Sequence, residues 1–136
     1  MKDERKKSTT RKLKQKIPIR EDKIYQIEVH VAGICIRRGE NGPEILIAKR
    51  NSRRELFPNK WECGGGQVRP GENFEEAIKR QIFEEFNLSV DVVEVINTYQ
   101  IYNRGTEQPK IPGLRFLCLV NGEGEEVNLN KREFSE

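Results

Sequence analysis

One histidine and three cysteines are all that 136 residues offer for thiol or zinc chemistry. Cys35, Cys63 and Cys118 are widely spaced and odd in number, which argues against both a disulfide framework and a zinc site. Cys35 and Cys118 lie in apolar stretches and read as buried thiols. Cys63 sits beside a glycine run, but the spacing provides no histidine partner. His30 falls in an expected core strand and reads as a structural residue. Long apolar runs are also missing: none approaches the roughly 20 residues needed to cross a bilayer. The first residues lack the apolar centre of a secretory signal. A cytoplasmic site with no membrane partner is therefore expected. There is no internal repeat.

What is present is charge, unevenly spread. Charged and hydrophobic residues each make up 35%, as in a soluble globular protein with a solvated tail. Residues 1–20 hold nine Lys or Arg against Asp3 and Glu4, a local charge of +7. The whole chain carries +3, so residues 21–136 carry −4. Residues 1–22 are expected to form a basic, disordered arm. A weak nucleic-acid contact through that arm is the other reading of its charge, but no aromatic residue is interleaved with it. Residues 23–136 are expected to form one domain, with a modest core for its length.

Along that domain, Ile24 to Arg37 reads as a strand, central in its second half. Residues 39–43 form a turn cluster. Glu44 to Arg50 reads as a strand apolar on both faces, hence covered on both. A polar loop, 51–59, precedes a short extended Trp61-Glu62-Cys63, with Trp61 as a packing anchor. Gly64-Gly65-Gly66 is expected to be a loop with positive φ and exposed carbonyls. Asn73 is placed to cap a helix with Glu76 as its reciprocal partner. Phe74, Ala77, Ile78, Ile82 and Phe86 keep helical spacing, so the helix should run from about Asn73 to Phe86. Asn87 is then suited to a left-handed exit. Val90 to Tyr102 and Leu114 to Val120 read as strands around a polar loop at 103–112. A turn at 122–126 and one short segment end the chain.

The chemistry concentrates between Gly64 and Leu88. Glu84 and Glu85 are adjacent on the helix and point about 100° apart. Gln81 lies one turn before Glu85, and Arg80 one turn before Glu84. An exposed Arg80–Glu84 pair would by itself be worth only tenths of a kcal/mol. Joined to Glu72 and the glycine run, however, these carboxylates make an oxygen-rich half-shell for a hard divalent cation. Such a shell leaves positions open for a diphosphate.

The stretch Gly66-Gln67-Val68-Arg69-Pro70-Gly71-Glu72, followed after seven residues by Arg80-Gln81-Ile82-Phe83-Glu84-Glu85-Phe86-Asn87-Leu88, resembles the Nudix signature. The resemblance spans roughly Lys23 to Glu136. It implies a Nudix-type α/β/α sandwich with a mixed sheet. It also implies hydrolysis of a nucleotide or nucleoside diphosphate derivative with Mg²⁺ or Mn²⁺. By position it makes Glu84, Glu85 and the Gly65 carbonyl the metal ligands, Arg80 the residue that orients the carboxylates, and Glu72 a structural glutamate. Arg50 and Gly66 would face the substrate, and Glu133 would be a further metal-binding or basic glutamate, or else a solvated one. A dimer is compatible with the pattern.

The departures from the signature matter too. Gln81 replaces a glutamate that serves some members as base and others as a metal ligand, and Gln cannot accept a proton at neutral pH and is a weak neutral ligand. Asn87 replaces a glycine. Gly64 replaces a frequent proline, which should loosen the loop entrance. The chain also ends before the strand and helix that usually close one face, so exposed apolar surface is expected. Two rival readings follow: a nucleotide-binding module with little turnover, and an RNA-directed protein recruited by the arm.

Overall fold

The computed structural model describes residues 25–122 and 127–136. The basic arm, the expected domain start near Lys23 and residues 123–126 of the expected turn lie outside them. The strand β1 (His30–Gly39) is the spine of a five-stranded mixed sheet. On one side it runs parallel to β7 (Pro109–Val120), from His30 opposite Gly113 to Ile36 opposite Leu119. Its other side is shared. The first half pairs with β5 (Gly64–Gln67) and the second with β2 (Gly42–Ile45), both antiparallel. β6 (Val90–Tyr102) closes the far edge as an antiparallel hairpin with β7. A small second sheet joins β3 (Ala48–Lys49) to β4 (Trp61–Glu62).

The expected strand at 44–50 is broken in two, and β1 explains why. Because β5 occupies the edge of β1 as far as Gly33, β2 can follow β1 only near the Gly39–Gly42 hairpin. The chain then leaves that edge at Leu46, whose N–H donates to Cys35 O at 3.0 Å, and re-enters as β3. Only one of its faces is covered: Ala48 is buried, whereas Ile45 and Ile47 are exposed.

The glycine run is not a positive-φ loop. It is strand β5, and the positive-φ glycines are Gly42, Gly71, Gly105 and Gly122. The glycines are needed for space. A Cβ on Gly64 would fall 2.5 Å from the Phe86 ring and 2.6 Å from Ile82 Cδ1. Gly64 therefore lets the helix close on β5 and does not loosen an entrance.

Helix α1 (Phe74–Phe86) follows the expected periodicity, burying Ala77, Ile78, Ile82, Glu85 and Phe86. Asn73 Oδ1 accepts from Glu76 N–H at 2.8 Å, and Asn73 Nδ2 donates to the Glu76 carboxylate at 3.1 Å, a side-chain version of the expected reciprocal pair. Asn87 takes the left-handed conformation at φ 56°. The helix covers the sheet face carrying Val31, Cys35 and Cys118. Among the described residues no helix covers the opposite face, where Leu119 and Ile45 are exposed. No helix among them is long and apolar enough to cross a membrane.

The segment after residue 126 is tied to α1. Asn130 and Asn128 N–H donate to Glu85 O and Phe86 O at 2.8 and 3.0 Å. Phe134 is buried, bridges to Arg50 and stacks on Phe86 with ring centroids 5.3 Å apart. Trp61, expected as an anchor, is instead half exposed, with the Lys49 ammonium 5.9 Å from its ring centroid.

The close contact of β5 with α1 yields a stability prediction. Gly64→Ala should cost about 1–3 kcal/mol by overpacking. Urea unfolding should show a lowered midpoint at unchanged slope. A wild-type midpoint would mean that the helix does not rest on Gly64.

Candidate active site

The site is organised by Arg80. Its Nε and Nη2 donate to the two Glu72 carboxylate oxygens at 2.7 and 2.9 Å, and Nη2 also donates to Gln67 O at 2.9 Å. The Arg69 N–H adds a bond to Glu72 at 2.9 Å. The end of β5, the turn after it and α1 are thereby joined. The Arg80 hydrogen bonds hold the Glu72 carboxyl down at about 2.

Beside this clamp opens a cavity of about 390 Å³. Its near end is lined by Arg50, Arg54, Gly65, Gln81, Glu85 and Glu133. Glu85 is the buried acid of the protein's described core, only 5% exposed. Its Oε2 accepts from Gly65 N–H at 3.2 Å. Burial first, and then the charge of Glu133, push its carboxyl up to about 8, against the pull of the Gly65 amide. In an antiparallel ladder a residue's N–H and C=O point to the same side. Since the Gly65 N–H meets Glu85, its carbonyl also turns to the open edge of β5.

The other expected residues are placed as follows. Gln81 lies against Gly66, its amide filling the place of a Gly66 Cβ. Both line the cavity. Glu84 does not: it is turned to Arg80 at 3.4 Å and Arg69 at 3.9 Å, with its side chain 47% exposed. Adjacent helical positions diverge, so Glu84 and Glu85 do not face one another here. Arg50 lines the cavity, but Nη1 is bound to Glu62 at 2.8 Å and Nε to Leu56 O at 3.0 Å, so it also braces the 51–59 loop. Glu133 is positioned from both sides: Arg54 Nη1 lies 3.4 Å from its carboxylate, and Asn51 N–H donates to its carbonyl at 2.8 Å.

Could these residues hold a cation? Among the described residues no three His, Cys, Asp or Glu side chains form a cage by themselves. The donors that do gather, Glu85, Gln81, Glu133 and the Gly65 carbonyl, are hard oxygens. The crowding of Glu85 by Glu133 is the repulsion that a divalent cation would relieve. The set fits Mg²⁺ or Mn²⁺, with water and phosphate completing the shell.

The far end of the cavity holds residues that were expected to have no part in a site. His30 is not in the core. It lines the cavity with its Nδ1 2.7 Å from the Tyr99 hydroxyl, and burial lowers its pKa. Arg115 and Cys63 lie there too. Burial raises the pKa of the Cys63 thiol, against the pull of the neighbouring Arg115. Cys35 and Cys118 are buried as expected. The available signal was the alternation of β6 and β7, which puts Asn97 with Tyr99 and Gly113 with Arg115 on one face.

The NUDIX domain profile matches residues 28–136, and the chain belongs to the Nudix family. A nucleoside triphosphatase NudI from Enterobacter sp. (strain 638) is 38% identical over 90 residues, covering 59% of this chain and 62% of that protein. The corresponding protein of Escherichia coli O1:K1 / APEC is 38% identical over 56 residues, covering 41% of this chain and 40% of its own length. The chain thus spans about two fifths to three fifths of these relatives. Among solved structures, a MutT protein from Methanosarcina mazei Go1 matches with a TM-score of 0.61 at 21% identity, covering 83% of this chain and 77% of that one. A C. elegans Ap4A hydrolase in a binary complex matches at 0.64 and 20%, covering 81% and 77%. The likeness to these structures establishes a Nudix-type fold.

Glu72 and Glu85 predict opposite pH responses of the metal-free protein. The depressed Glu72 pKa contributes stability above its ordinary 4.5, lost as pH falls towards about 2. The raised Glu85 pKa acts in reverse: stability falls as pH rises from 4.5 through about 8. In melting followed in chelator, the stabilising contributions of these two groups are together greatest near pH 4.5. Glu85→Gln should flatten the alkaline side and Glu72→Gln the acid side; unaltered profiles in both would refute the two assignments.

Proposed function

We propose that this protein is a Mg²⁺- or Mn²⁺-dependent hydrolase that cleaves the diphosphate linkage of a nucleotide or nucleoside diphosphate derivative, in the cytoplasm. One observation carries this reading: buried Glu85, held on the Gly65 amide at an open strand edge, faces Glu133 in a cavity that also holds Arg50 and Arg54. Acids alone would repel a diphosphate, and arginines alone would not bind a metal. Together they suit a metal–diphosphate pair.

When bound, the cation supplies polarisation of a phosphoryl oxygen and a water of lowered pKa. Glu85 and the Gly65 carbonyl would be its ligands in this reading; Glu84 would become the second carboxylate only by swinging away from Arg80 and Arg69. Arg50 and Arg54 balance phosphate charge and orient the diphosphate. Gly66, without a side chain, leaves room for the Gln81 amide beside the site. Water attacks phosphorus, the P–O bond to the leaving phosphate breaks, and a proton must be taken up. Gln81 cannot take it, so Glu133 is the acceptor.

Gln81 also favours a second reading, in which the same site binds nucleotide with little turnover. Two variants separate the readings at saturating Mg²⁺. Glu133→Gln should lower kcat by about 10²–10⁴-fold with little change in nucleotide affinity. Gln81→Glu should raise turnover about tenfold or more if the lost carboxylate limits the reaction. A wild-type chain that binds metal and nucleotide, fails to hydrolyse a nucleoside diphosphate panel, and is not rescued by Gln81→Glu would be the binding module.

A further inference from the structure

The far end of the cavity is built on the sheet face opposite α1. In cross-strand register, Gly65, Ala32, Arg115 and Asn97 form one row, and Gln67, His30, Gly113 and Tyr99 the next. Register partners, and residues two apart on a strand, share a face. Added Cβ atoms on Gly33 and Gly64 would meet α1 side chains, so Ala32 and Gly65 point the other way. Ala32 and Gly65 therefore make a low floor. Tyr99 lies over Gly113, where a side chain would collide with its ring. From Gly65 to Arg115 is two strand steps, roughly 10 Å. A group attached to a diphosphate at Gly65 would lie along this floor and end at Arg115.

Arg115 is braced to meet it. Its guanidinium sits 4.8 Å from the Tyr99 ring centroid, and Nη1 donates to Asn97 Oδ1 at 2.9 Å. Tyr99 is itself held by His30 at 2.7 Å. An arginine fork has five donors and no acceptor. It matches a base edge of adjacent acceptors, such as guanine O6 and N7, or a pyrimidine keto oxygen. Adenine instead places an amine donor beside N7.

Resting on the nucleotide reading above, we propose that Arg115, braced by Tyr99 and Asn97, determines base specificity and selects keto-edged bases, guanine and uracil, over adenine. The test is calorimetry with GMP, UMP and AMP in chelator, so that neither metal nor hydrolysis contributes. GMP and UMP should each bind about tenfold tighter than AMP, the lower range for a bidentate arginine–base pair. Arg115→Gln presents both a donor and an acceptor, the pattern that suits adenine, and should erase or invert the ratio. A merely structural arginine would weaken all three ligands alike. The proposal is overturned if either GMP or UMP binds no tighter than AMP, if none binds, or if folded Arg115→Gln keeps the wild-type ratio. The wild-type ratio decides even if the variant does not fold. Base preference without hydrolysis would uphold this inference against the hydrolase reading; hydrolysis without preference would do the reverse.

Discussion

The Arg80–Glu72 clamp is the constraint on which the rest of the site depends. A guanidinium bound in two places to one carboxylate is directional as well as strong. Its additional bond to Gln67 O fixes the end of β5 relative to α1. Glu85, one turn beyond Gln81 on that helix, can then reach the Gly65 amide. The clamp residues themselves stay out of the cavity. They set its geometry, and the cavity-lining acids and arginines supply its chemistry.

The second constraint is the absence of side chains along β5. An edge strand packed under a helix must be thin, and glycine makes it so. Gly64 and Gly66 admit Phe86, Ile82 and Gln81 on the helical side. Gly65 keeps the other side low and turns its polar groups to the edge. One short strand thus serves the core, the proposed metal end and the proposed substrate floor at once.

Local features were readable from the sequence. The helix, its Asn73 cap, its Asn87 exit and the full extent of β6 follow from neighbouring residues, because capping and periodicity are short-range. The signature residues were found because their chemistry needs a set spacing. Three things were not readable. The break at Leu46 depends on β5 competing for β1, a contact between distant segments. The strand character of 64–67 depends on that same pairing overriding the turn preference of glycine. The far end of the cavity joins His30 to Tyr99 and Tyr99 to Arg115, brought together only by a parallel β1–β7 pairing and a long hairpin.

Helix α1 ends without a basic residue in its last turn. Its final carbonyls are satisfied instead by the backbone of Asn128 and Asn130, and its last aromatic ring by Phe134. The strip of chain that presents Glu133 is therefore also the helix's C-terminal cap. Peeling it away would expose an apolar ring, orphan two carbonyls and displace a site carboxylate in one motion. Local opening there cannot be a quiet fluctuation, and amide protons of the last helical turn and of residues 128–135 should exchange as one cooperative unit.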